Sequence, residues 1–144
     1  MASENTALRL LLVDDELDFL RALATALTTR GMVVRTAHSG PDAIAMHAAA
    51  RPDVIVLDLR MPGMDGLATL EAIRVVDGIT PVLLLSGHAD VEGARAALAA
   101  GAVDFLLKPC AVETLASAIE DAHERRGVVS ELAERAQGPR PTKS

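Results

Sequence analysis

The sequence contains no tryptophan and no tyrosine, and its only aromatic residues are Phe19 and Phe105. Any core must therefore be built from aliphatic side chains. A single cysteine, Cys110, excludes an internal disulfide and fits a reducing compartment. No apolar run approaches the ~18 residues that a membrane span requires. Basic residues are outnumbered 14 to 20, and the net charge of −6 argues against wrapping nucleic acid, whose phosphates call for Lys and Arg. His38, His47, His88 and His123 fall into no metal-ligand grouping, which excludes a zinc centre of the usual kind. The stretch 1–7 is polar and acidic, unlike a secretion signal. The expected location is the cytoplasm.

What is present is one domain's worth of chain, 144 residues with 50% hydrophobic and 24% charged content, ordinary for a globular protein. Strand-like and helix-like segments alternate. Leu8–Val13, Val33–Ala37, Val54–Leu57, Val82–Leu85 and Val103–Leu107 read as strands. Leu17, Leu20, Leu23, Ala24 and Leu27 recur at helical spacing, and Gly31 stops that helix. Ser39-Gly40-Pro41 opens a second helix, which ends at Arg51-Pro52. The spacing predicts a third helix over 67–76, a fourth over 90–100 and a fifth from beyond Pro109 to Arg126. Five βα units in a row predict a doubly wound α/β sandwich around a parallel sheet, because parallel strands need crossover helices. Strand one, flanked by helices and wholly apolar, is the candidate for its centre. Residues 1–7 form an N-terminal tail, 8–126 the folded domain, and 127–144 an extension expected to be largely disordered, although Val128, Val129 and Leu132 could prolong the last helix.

The strand ends carry the chemistry. Leu10-Leu11-Leu12-Val13 runs into Asp14-Asp15, Val54-Ile55-Val56-Leu57 into Asp58, Val82-Leu83-Leu84-Leu85 into Ser86, and Phe105-Leu106-Leu107 into Lys108-Pro109. Ligands of open α/β sheets bind beyond the carboxyl ends of the strands. Three acids, a hydroxyl and a lysine should therefore meet at one edge. Converging carboxylates repel one another, and a hard divalent cation removes that conflict. Mg²⁺ (or Mn²⁺) held by Asp14, Asp15 and Asp58 would neutralise charge on a transferring phosphoryl group. Asp58 would be the nucleophile, and Lys108 and Ser86 would bond phosphoryl oxygens. Each piece alone has a plainer reading: Asp14-Asp15-Glu16 as helix-capping acids, Asp58 as a turn residue, Ser86-Gly87 as a loop, Lys108 as a solvated charge. Chance capping does not explain four strands ending this way.

In Leu12-Val13-Asp14-Asp15-Glu16, Leu57-Asp58-Leu59-Arg60-Met61-Pro62-Gly63-Met64-Asp65-Gly66, Leu85-Ser86-Gly87-His88 and Leu107-Lys108-Pro109, the chain resembles the receiver domain of two-component response regulators (the CheY-like superfamily) over about residues 8–126. The resemblance implies a flavodoxin-like (βα)5 sandwich with strand order 2-1-3-4-5. It implies that Asp58 is phosphorylated by a histidine kinase or phosphotransfer protein, with Mg²⁺ held by Asp14, Asp15, Asp58 and the Arg60 backbone carbonyl. It also implies a switch made of Ser86 and Phe105, a responsive surface of helix four, strand five and helix five, tuning of phosphoryl lifetime by Arg60 and His88, and a cis Lys108–Pro109 peptide. Where many relatives carry tyrosine, Phe105 has no phenolic hydroxyl, and where relatives carry phenylalanine after the proline this chain has Cys110, here read as a small hydrophobe.

The function expected is a regulatory phosphoacceptor, not an enzyme, with weak self-phosphorylation from small donors and slow autodephosphorylation. Expected partners are the kinase or phosphotransfer protein, a downstream protein or output domain, and a second copy in a phosphorylation-dependent dimer. Neither direct nucleic-acid binding nor membrane binding is expected. The alternatives are a receiver cut from a longer transcription regulator, a pseudo-receiver scaffold, a flavin module and an aspartate-nucleophile phosphatase. A phosphatase would want a general acid where Arg60 stands, and a flavin phosphate would be repelled by Asp14-Asp15-Glu16.

Overall fold

A computed structural model of the chain describes residues 7–87 and 91–137. Its elements are β1 (Arg9–Val13), α1 (Leu17–Thr29), β2 (Val33–Ala37), α2 (Gly40–Ala49), β3 (Val54–Leu57), α3 (Gly66–Val76), β4 (Val82–Ser86), α4 (Val91–Ala99), β5 (Asp104–Leu107) and α5 (Val112–Gln137). The five strands form one parallel sheet in the order β2-β1-β3-β4-β5. The middle strand is β3 and not β1, the candidate suggested by apolarity. Apolarity does not separate the two, because β1, β3 and β4 are all buried on both faces, whereas β2 and β5 are half-exposed edges.

Strand residues alternate between two cores, as a pleated sheet requires. Leu10, Leu12, Val54, Val56, Leu83 and Leu85 face the layer of α1 and α5, where Leu20, Leu23, Leu27, Leu115 and Ile119 meet them. Leu11, Val13, Ile55, Leu57, Val82 and Leu84 face the other layer, packing with Ala43, Leu70, Ile73 and Ala97 from α2, α3 and α4. Every one of these strand residues is within 3% of full burial. Burying a Leu, Ile or Val side chain stabilises a fold by about 1.5–3 kcal/mol. This aliphatic sheet is thus the framework that fixes the strand ends.

Local chemistry sets the helix limits. Ser39 Oγ accepts from Asp42 N–H (3.2 Å) at the start of α2, and Asp65 Oδ1 from Ala68 N–H (2.9 Å) at the start of α3. Gly31 and Gly101, at φ 96° and 113°, end α1 and α4 in the left-handed region. The last helix does not stop at Arg126 but continues to Gln137, so the extension is helical over 127–137. Gly127 alone costs a helix only about 1 kcal/mol. The next strong breaker in the sequence is Gly138-Pro139.

Candidate functional site

Backbone bonds carry the ladder past the strand ends and align the residues beyond them. Asp14 N–H donates to Ala37 O (3.1 Å), Asp58 N–H to Val13 O (2.9 Å) and Lys108 N–H to Ser86 O (2.9 Å). Asp14, Asp58, Ser86 and Lys108 therefore stand side by side at the carboxyl edge of the sheet. The Lys108–Pro109 peptide is cis, as the resemblance implies.

Asp14 and Asp58 are 4% and 6% exposed, and Asp15 is more open. One carboxylate oxygen from each lies within 4.8 Å of the others, the single such metal-capable group among the described residues. An all-oxygen donor set of this size suits a hard divalent cation such as Mg²⁺ or Mn²⁺. Burial raises the Asp58 carboxyl above its ordinary range, and the neighbouring Asp14 charge pushes it the same way. The Arg60 N–H, donating to Asp58 Oδ1 at 3.2 Å, opposes that shift, as do the Lys108 ammonium and, least of all, Ser86, but they do not cancel it. Asp58 is thus a carboxylate short of positive charge, the condition that a cation relieves.

Asp14 is tied at both oxygens. Oδ1 accepts from Glu16 N–H (2.9 Å) and Oδ2 from Lys108 Nζ (2.8 Å). The Lys108 Nζ also reaches Glu16 Oε1 at 3.2 Å and Asp58 Oδ2 at 3.9 Å. Burial alone would lower the lysine's pKa, yet hydrogen bonding and charge from Asp14, then Glu16 and Asp58, raise it overall. Glu16 is the N-cap residue of α1 and makes no side-chain cap bond. Glu16 thus turns to Lys108 and does not cap α1 with its side chain, while Asp14 Oδ1 takes the Glu16 N–H.

Ser86 is fully buried, and its hydroxyl has no hydrogen-bond partner at bonding geometry, although it lies within electrostatic reach of Asp58. Phe105 is half-buried on β5 and packs against the core shared with α4. Arg60 is exposed and lines a groove of about 510 Å³ with Leu59, Met61, Pro62 and Gly93. His88 lies outside the described residues. Cys110 is half-buried against the α1–α5 core, and burial raises its thiol pKa.

The structure therefore brings together Asp14, Asp15, Asp58, Ser86 and Lys108. The sequence reading missed Glu16 and Phe19 as neighbours of Lys108; the Lys108 ammonium sits 4.3 Å from the Phe19 ring centre. The available signal was their i, i+3 spacing on the turn that follows the acid pair. It also missed a third buried carboxylate, Asp77, away from this edge, with His47, Thr80 and Arg51 around it.

Comparison with known proteins agrees with this fold. The family model for the response regulator receiver domain matches residues 10–120. The transcriptional regulatory protein PrrA of Mycobacterium bovis is 39% identical over 122 residues, which cover 85% of this chain and 52% of that protein. The regulatory protein AtoC of Escherichia coli is 36% identical over 124 residues, covering 86% of this chain and 27% of the relative. The chain thus spans about half the length, or less, of these relatives. Among solved structures, NtrX from Brucella abortus superposes with a TM-score of 0.83 at 34% identity, over 89% of this chain and 30% of that one. A receiver domain protein from Clostridium thermocellum gives 0.80 at 29% identity, over 85% and 98%. With its sheet order, its carboxyl-edge site and these relatives, the chain belongs to the response regulator receiver domain family.

Proposed function

We propose that Asp58 is a phosphoryl acceptor, charged by a histidine kinase or phosphotransfer protein in the presence of Mg²⁺. The observation that carries this reading is the pairing of a buried, charge-starved Asp58 with two further carboxylates and one lysine at a single sheet edge. An Asp58 carboxylate oxygen would attack phosphorus, forming a P–O bond as the donor's P–N or P–O bond breaks, and the leaving group would depart with the electron pair. Asp14, Asp15, Asp58 and the Arg60 carbonyl would hold the cation, which supplies charge neutralisation to the transferring group. Lys108 would bond one phosphoryl oxygen, and the unpartnered Ser86 hydroxyl another. Movement of Ser86 toward the phosphoryl group would leave space for Phe105 to turn inward, altering the α4, β5 and α5 surface. Arg60 and His88 would tune the lifetime of the acyl phosphate.

The domain would act as a regulator with only weak self-phosphorylation from small donors and slow autodephosphorylation. Its readout would be a downstream protein, an output domain or a phosphorylation-dependent dimer. That PrrA and AtoC are regulatory proteins longer than this chain favours an output domain for transcription. No described helix is long and apolar enough to cross a membrane.

The test is intact mass after incubation with acetyl phosphate and Mg²⁺, acid-quenched, for the wild type and Asp58→Asn. One phosphoryl adduct is expected on the wild type, lost in the variant and without Mg²⁺. Equal labelling of the variant would refute the assignment of Asp58.

A further inference from the structure

Lys108 leans toward α1, away from the proposed acceptor. Its ammonium lies 2.8 Å from Asp14 Oδ2 and 3.2 Å from Glu16 Oε1, against 3.9 Å from Asp58 Oδ2. The Phe19 ring, one turn beyond Glu16, backs it at 4.3 Å from the ring centre. We propose that Glu16 is a positioning residue that holds the Lys108 ammonium on the α1 side of the site and so restrains its access to a phosphoryl group on Asp58. The inference rests on the phosphoacceptor reading.

An ammonium has three N–H donors. Asp14 and Glu16 engage two of them, which leaves one for a phosphoryl oxygen. Asp14 belongs to the acid triad, so a cation there would draw on its oxygens and repel the lysine. Glu16 and Phe19 lie outside the triad, and they would then be the contacts that keep Lys108 on α1. The Phe19 face attracts the cation without occupying a donor. Glu16 is 65% exposed at its side chain, so its hold is weak, a brake and not a lock. The expected effect of releasing it is about threefold, the scale of an exposed ion pair.

The experiment compares the wild-type 144-residue chain, Glu16→Gln and Asp18→Asn. Asp18 is an exposed acid in the same first turn that does not touch Lys108, so it controls for loss of one negative charge. The first readout needs no cation. Amine acylation is followed by mass spectrometry, with Lys108 scored against Lys143, the only other lysine. Glu16→Gln should raise relative Lys108 labelling about threefold, and Asp18→Asn should leave it unchanged. The second readout is the initial rate of labelling by acetyl phosphate with Mg²⁺, where Glu16→Gln should exceed Asp18→Asn by a similar factor. Equal behaviour of the two variants in either readout overturns the role of Glu16. A wild type that takes no phosphoryl group overturns the phosphoacceptor reading instead, and the acylation result then reports separately on the resting contact.

Discussion

Asp58 and Asp77 are two buried aspartates at opposite ends of one sheet, 6% and 3% exposed, and their surroundings push them apart. Asp58, at the carboxyl edge, has one backbone N–H donor and a neighbouring carboxylate, and its pKa is raised. At Asp77, after α3, burial acts in the same direction but is outweighed. Thr80 Oγ1 (2.6 Å) and His47 Nε2 (2.8 Å) bond its Oδ2, and the N–H groups of Ile79 and Thr80 bond its Oδ1. Arg51 Nε adds a contact at 3.3 Å. The Asp77 carboxyl is held well below the usual carboxylate range. A buried charge that is fully partnered is structure, whereas one left short of partners is available for chemistry.

The largest effect that sharpens this comparison is at Asp77. Replacing it by alanine strands the donors of Thr80, His47 and the loop, and should destabilise the protein by about 3 kcal/mol in urea unfolding near neutral pH. The folded-state pKa is depressed, so this contribution is present above the unfolded value and fades as pH falls through the folded one. The penalty of Asp77→Ala should accordingly shrink in strong acid. Next is Gly66→Ala, because a Cβ at Gly66 would overlap the Asp58 carbonyl oxygen and approach Leu59 Cα to 2.7 Å. It should cost about 2 kcal/mol and displace the acceptor, lowering acetyl-phosphate labelling.

Mg²⁺ at ten times its dissociation constant should stabilise the wild type by about 1.4 kcal/mol, read as a rise in Tm, and much less in Asp58→Asn. Smallest is Asp58→Asn itself, which should stabilise the cation-free protein by about 1 kcal/mol near neutral pH. Here the folded pKa is raised: the group's favourable contribution is complete below the unfolded value and lost as pH rises through the folded one. The gain from Asp58→Asn should vanish in acid. A destabilising Asp58→Asn at neutral pH would break the contrast between the two aspartates.

The carboxyl-edge site was legible because its residues sit directly after apolar runs, and a run of Leu, Val and Ile announces a buried strand whatever its neighbours. The Asp77 network was not. Its members come from α2, the α2 terminus and the α3–β4 turn, and each has an ordinary local role: Asp77-Gly78 ends a helix, and His47 is a lone histidine. Only the packing of α2 against α3 brings them together. The length of α5 is masked in the sequence, because the polar composition after Arg126 dilutes the helical spacing of Val128, Val129 and Leu132. Glu16 was legible as an acid beside acids. That its side chain turns toward Lys108, 92 residues away, required the fold.

The half-buried place of Phe105, on the edge strand against the core shared with α4, has a consequence in light. A chain without tryptophan or tyrosine is nearly dark in the near ultraviolet. A Phe105→Trp variant would make that edge the sole emitter of the whole molecule, and the colour of its fluorescence would report, without any label, whether the ring faces water or the core.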